Sequence, residues 1–189
     1  CNSQSWMTHI LSGQALERLR AALIEAALAG VPIEPDVPPV AGYEGVLQDR
    51  RRACGWALYE AVGVTRGDRE GSHRQSLENF SLFGAPHLAL ITVPKAMGAR
   101  GIFDAGIYAG FLLLAAEALG IAAVPQASIT HYAQVLRRHA DIPRSHHIIC
   151  GVAFGTEDAA HPANAFRTTR ADLSECVVWT DQSEDSHAT

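Results

Sequence analysis

The chain has 189 residues, of which 48% are hydrophobic and 19% charged, a globular composition that excludes a disordered or fibrous chain. Lys and Arg number 15 against 20 Asp and Glu, so the net charge of −5 does not point to a nucleic-acid surface. Four cysteines, Cys1, Cys54, Cys150 and Cys176, are widely spaced with no Cys-x-x-Cys pair. That argues against a zinc ribbon and fits free thiols in a reducing compartment, the cytoplasm.

In chain order, "WMTHIL" (Trp6–Leu11) suits a strand. Ser12 then offers an N-cap to a helix over 14–28, with Leu16, Leu19, Leu23 and Ile24 on one side and Gly30 beyond its end. Residues 30–42 hold four prolines in thirteen positions, which rules out a regular helix or a central strand and predicts a surface loop or lid over 31–42. Helical spacing resumes over 46–62 and again over 68–80. "HLALITV" (His87–Val93) reads as a buried strand between Pro86 and Pro94.

A long apolar helix follows over 102–119, ending at Gly120. Its longest apolar run, Ala105 to Ala116, has twelve residues against the about 20 that a bilayer crossing needs. No membrane partner is expected from it, and it belongs in a core or a subunit interface. Ile121–Val124 predicts a short strand stopped by Pro125, Thr130 a cap for a helix through Arg138, and His147–Phe154 an interior strand. "SECVVW" suits an extended end, and the polar residues 180–189 suit a disordered tail after a single domain over 1–179.

Alternation of strands and helices comes without a phosphate signature, since neither G-x-G-x-x-G after a strand nor a Walker lysine occurs. Nine histidines include no H-x-x-x-H, and adjacent His146 and His147 point to opposite faces of a strand, so no metal site is expected. Cys150 sits in an apolar strand and reads as a small hydrophobe. The run Arg50–Arg52 reads as a solvated helix face. "VPQAS" (Val124–Ser128) has two readings: an ordinary strand-to-helix connection, or a loop whose free N–H groups and small side chains let a flat heteroaromatic ring approach. "NAFRTTR" places Arg167 and Arg170 three apart, and guanidinium forks suit phosphate oxygens.

Together these stretches resemble the flavin-dependent nitroreductase family. "NSQSW" (Asn2–Trp6) is similar to its Asn-x-Gln-Pro-Trp segment. "NFSLFGAPHLALITV" resembles its helix-to-strand passage, and "FDAGIYAGFLLLAAEALGIAAVPQAS" its long interface helix and ring-contacting loop. "IICGVAFG" and "NAFRTTRADLSE" follow in the family's order.

The resemblance implies an α+β fold, a three-layer sandwich with a mainly antiparallel sheet between helices, in an intertwined homodimer joined through the 102–119 helix and the C-terminal extended segment. It implies FMN at the subunit interface and NAD(P)H as co-substrate. Asn2 and Gln4 would contact the flavin ring edge or ribityl chain. The loop Pro125, Gln126, Ala127 and Ser128 would offer the N–H groups of Ala127 and Ser128 to the N5/O4 edge. Arg170, with Arg167, would hold the 5′-phosphate. The implied activity is ping-pong reduction of a nitroaromatic or similar acceptor through flavin N5, with no dedicated protein acid or base; Tyr43 and Tyr59 are candidates for the acceptor pocket.

Two departures stand out. Ser5 replaces the family's proline, and the family's upstream Arg-Arg-Ser-like segment has no match, so the sequence reads as starting inside a flavin-binding motif. The alternatives are a non-enzymatic flavin carrier, a cofactor-free dimer, or a relative acting on an enone, a halogenated aromatic or flavin itself.

Overall fold

A computed structural model describes residues 2–180. Four strands form one antiparallel sheet in the order β1-β2-β4-β3, with β1 at Met7–Ser12, β2 at His87–Pro94, β3 at Ala122–Gln126 and β4 at His146–Gly155. Period-two alternation in β2 sends its side chains to two different cores. Leu88 and Leu90 join Leu16, Leu19 and Leu23 of helix α1 (Gly13–Leu28) and Ala133 and Leu136 of α5 (Ala133–Ala140). Ala89, Ile91 and Val93 face the other way and join Ala105 of α4 (Gly98–Ala118). The result is the expected three-layer sandwich.

Gly101 sets how closely α4 lies on the sheet. A Cβ there would stand 2.7 Å from Met97 Cβ and 3.3 Å from a Val93 methyl carbon. Yet only Gly101 and Ala105 of α4 are buried, while Phe103, Ile107, Phe111 and Leu114 are exposed in the single chain. The sequence expectation of a helix too short for a bilayer needs correcting on length. Lys95–Ala118 spans 24 residues, with a window of mean hydropathy 1.4, and is long and apolar enough to cross a membrane by length and composition alone. Here it lies along the sheet instead.

The other elements are α2 (Gly45–Ala61), α3 (Arg69–Leu77) and α6 (Leu173–Cys176). Helix α2 has no buried residue, and Arg50 on it pairs with Glu175 of α6 at 2.8 Å. Arg51 and Arg52 are exposed, as a solvated face requires.

Four local expectations change. Pro125 does not stop β3 but lies within it, opposite Val152. Because β3 is an edge strand, the missing proline N–H leaves no sheet partner wanting. Thr130 is not a helix cap; it sits inside a 3-10 turn, Ser128–Tyr132, that precedes α5. "SECVVW" begins as the short helix α6 before turning extended at Val177. The proline-rich 31–42 segment is irregular as predicted, but Pro35, Asp36 and Val37 are half-buried rather than free as a lid would be. Cys1 and the proposed tail, from 181 onward, lie outside the described residues.

Candidate functional site

Main-chain geometry defines the loop after β3. Sheet pairing ends at Gln126 opposite Gly151. The Ala127 carbonyl accepts two hydrogen bonds, from the Thr130 amide at 3.0 Å and the Thr130 hydroxyl at 2.7 Å. The N–H groups of Ala127 and Ser128 have no acceptor among the described residues. Ala127 is exposed, and its methyl leaves the backbone open to a ligand.

Gln126 behaves differently from its neighbours. Its side chain is 3% exposed and donates from Nε2 to the Asn79 carbonyl at 2.9 Å, while Oε1 is buried without a partner. The side chain therefore braces the strand end, leaving the backbone as what Gln126 can offer a ligand. Ser128 Oγ donates to Asn79 Oδ1 at 2.9 Å. Asn79, which follows α3, thus touches the loop twice. Asn79 opens the stretch "NFSLFGAPHLALITV", yet no local pattern in the sequence marks it as a partner of this loop.

The opening segment lies against α4. Ser5 Oγ donates to Asp104 Oδ2 at 2.9 Å and Ser3 Oγ to the same oxygen at 3.4 Å. Trp6 stacks on Tyr108 with ring centroids 5.1 Å apart and planes at 14°. Ser5 thus anchors the opening segment to α4. Asn2 and Gln4 are exposed, and Gln4 has a positive φ of 47°, a strained conformation for a non-glycine residue.

Arg170 and Arg167 are exposed on the segment before α6. Arg170 Nη1 donates to Thr168 Oγ1 at 2.8 Å and to the Thr169 carbonyl at 3.1 Å, both within its own loop. Arg167 donates to the Asn164 and Phe166 carbonyls and lies 3.7 Å from Glu157.

These groups do not form one cluster in a single chain. Asn2 and Gln4 precede β1 at one edge of the sheet, and 125–128 lies at the other edge, at the end of β3. Three strand spacings separate those edges, roughly 14 Å. Elsewhere, an open cleft of about 470 Å³ at the end of α2 is lined by Trp56, Glu60, Gly63, Val64, Thr65 and Arg66. Neither Tyr43 nor Tyr59 lines it, although Tyr59 meets Trp56 edge-on at 5.9 Å. Cys150 carries a thiol whose burial pushes its pKa up to about 11. Its side chain packs against the core cluster between the sheet and α4.

A four-stranded antiparallel sheet with helices on both faces defines an α+β sandwich, and comparison with known proteins narrows the class. The nitroreductase family model matches residues 1–156. The chain is 37% identical to "Nitroreductase NfnB" of Mycolicibacterium smegmatis over 92% of its own length and 74% of the relative's. It is 31% identical to a 4-nitrobenzoate reductase of a Nocardioides species, over 95% and 75% of the two lengths. Among solved structures it superposes with a TM-score of 0.90 on the FMN-dependent nitroreductase NfnB from Mycobacterium smegmatis in complex with NADPH, at 35% identity and covering 95% of this chain and 81% of that one. The chain belongs to the nitroreductase family.

Proposed function

We propose that this protein is an FMN-dependent NAD(P)H oxidoreductase that reduces nitroaromatic or similar electron-poor acceptors. One observation carries the reading: two main-chain donors, at Ala127 and Ser128, stand unengaged on an exposed strand end. Main-chain donors without a protein acceptor among the described residues, beside small side chains, suit the acceptor atoms on the edge of a flat ring. Arg170 supports it, because among the described residues its guanidinium bonds within its own loop and keeps donors for a 5′-phosphate. Arg167, already facing Glu157, is the secondary phosphate ligand in this reading. The exposed amides of Asn2 and Gln4 serve the ring edge or ribityl chain.

FMN, held by the 125–128 loop and Arg170, would supply the hydride-transfer chemistry of a ping-pong relay between a nicotinamide and the acceptor. The chain's own part is to bind, orient and shield. Relatives that reduce 4-nitrobenzoate, and one solved with NADPH, support the nitroaromatic acceptor and the nicotinamide donor.

In this reading residues 1–179 form one domain, and two copies associate. A homodimer through α4 and the extended C-terminal residues covers the apolar side chains that one chain leaves exposed, and it brings a second copy of each edge to the flavin. Free thiols at Cys54, Cys150 and Cys176 suit the cytoplasm.

The test is an absorbance spectrum. Protein incubated with FMN and freed of excess should be yellow, and NADPH or NADH should bleach it under anaerobic conditions, with colour returning on addition of a nitroaromatic. Protein that stays colourless after FMN is offered overturns the proposal.

A further inference from the structure

The loop that offers the two free amides is itself held from behind, at three points. Thr130 donates twice to the Ala127 carbonyl, from its amide at 3.0 Å and from its hydroxyl at 2.7 Å. Asn79 Oδ1 accepts from the Ser128 hydroxyl at 2.9 Å, and the Asn79 carbonyl accepts from Gln126 Nε2 at 2.9 Å. Asn79 is fixed in turn, since its Nδ2 donates to the Ser76 carbonyl at 3.1 Å and its N–H to the same oxygen at 3.3 Å.

The Ala127 carbonyl and the Ser128 N–H belong to one peptide unit. That unit is planar and trans, so the two groups point in opposite directions. Clamping the carbonyl from the Thr130 side therefore aims the Ser128 N–H away from Thr130, and a carbonyl that accepts two hydrogen bonds polarises its peptide and strengthens the N–H as a donor. Thr130 is 8% exposed and Gln126 3%, so neither clamp competes with water.

We propose that Thr130 and Asn79 are positioning residues, holding the 127–128 peptide in the single orientation that presents the Ser128 N–H to the flavin ring edge. The inference rests on the reading of the 125–128 loop as the flavin contact, and it adds the side chains that make the loop rigid and its donor strong. In that reading both act through the 127–128 peptide and not on the flavin itself.

Three variants test it. Thr130→Val keeps the side-chain shape and removes the hydroxyl donor. Asn79→Ala removes the acceptor for Ser128, and Asn79→Asp restores an acceptor oxygen at that place. Each is compared with wild type for FMN affinity, for the visible absorption spectrum of bound FMN and for anaerobic flavin reduction by saturating NADPH, with the thermal midpoint of the apoprotein as the folding check.

Thr130→Val should leave the apoprotein folded, displace the flavin bands and slow reduction at saturating NADPH about tenfold, the scale of one weakened hydrogen bond to a reacting group. Asn79→Ala should act in the same direction, with Asn79→Asp recovering most of the loss. Wild-type spectra and rates in Thr130→Val overturn the inference even if Asn79→Ala fails to fold. Equal impairment of Asn79→Asp and Asn79→Ala overturns the role of the acceptor. If wild type itself binds no FMN, it is the assignment of function that fails.

Discussion

Asp36 and Arg137 form a buried ion pair between the proline-rich segment and α5, with side chains 10% and 9% exposed. The same guanidinium donates to the carbonyls of Pro143 at 2.8 Å and His146 at 2.7 Å, and Asp36 Oδ2 accepts from the Ile148 amide at 2.7 Å. One carboxylate thus ties an otherwise irregular segment to the start of β4. Asp36→Ala would leave a buried guanidinium without its counter-charge and a buried amide without its acceptor. The loss expected is about 3–5 kcal/mol. Urea unfolding at fixed protein concentration measures it, and Asp36→Asn, which keeps an acceptor for Ile148, should fall between the two. A loss below about 1 kcal/mol, the scale of an exposed pair, would show that the pair is not buried in solution.

His9 on β1 supplies a pH dependence. Burial, and then the charge of His146 across Thr92, lower its pKa from the ordinary 6.5, while a hydrogen bond with the Ala140 backbone and the charge of Asp141 oppose the shift. Thr92 Oγ1 lies 3.4 Å from His9 Nε2 and 3.0 Å from His146 Nδ1. Below 6.5 the unfolded chain takes up a proton at His9 that the folded chain resists. Stability is therefore full above 6.5 and declines as pH falls toward the folded pKa. His9→Gln should flatten the dependence of the unfolding midpoint on pH below about 6.5. An unchanged slope would assign the dependence to other groups.

Much of the fold was legible because burial imposes period. Leu16, Leu19 and Leu23 announced α1 and its inner face, and the continuous run His87–Val93 announced a strand covered on both sides. Proline was the misleading signal at β3: Pro125 breaks a central strand but is harmless on an edge, and edge position is decided by topology, not by local sequence. Thr130 was misread for a related reason, since a threonine before a helix can cap it or can bond back to a carbonyl three residues earlier, as it does here. Long-range partners left no trace at all. Nothing near Asp36 names Arg137, and nothing near Asn79 names Gln126 or Ser128. Of the predicted site, the open main-chain donors at 127 and 128 could be anticipated from small residues after a strand, but the separation of Asn2 and Gln4 from them could not.

Arg170 separates phosphate binding from ring binding. If its guanidinium takes the 5′-phosphate, Arg170→Ala should weaken FMN by about 10- to 100-fold, the range of a charge-assisted hydrogen bond, and leave riboflavin, which lacks the phosphate, at wild-type affinity. Arg167→Ala should weaken FMN less, because Arg167 already faces Glu157. Fluorescence quenching titrations with both flavins measure this. Equal losses for FMN and riboflavin would mean that Arg170 acts on the shape of the loop rather than on the phosphate.

The exposed face of α4 makes the strongest demand for a partner. Phe103, Ile107, Phe111 and Leu114 recur at helical spacing, with Phe111 68% exposed, and Gly106 and Gly110 beside them would let a second helix come close. An apolar stripe of this kind is the surface that the proposed homodimer would use. Burying one phenylalanine is worth about 2–3 kcal/mol. A two-fold axis would count it twice, so Phe111→Glu should weaken self-association by about a thousandfold or more. The change should spare the fold of each chain, because Phe111 is solvent-exposed within it. Sedimentation velocity across a concentration series then reports the assembly, and the flavin absorbance of the same samples reports the site. With Asn2 and Gln4 at one sheet edge and Ala127 and Ser128 at the other, a site shared between two copies should lose its flavin as the dimer dissociates. A Phe111→Glu monomer that keeps FMN at wild-type affinity would confine the site to one chain, and a Phe111→Glu dimer as tight as wild type would place the interface elsewhere.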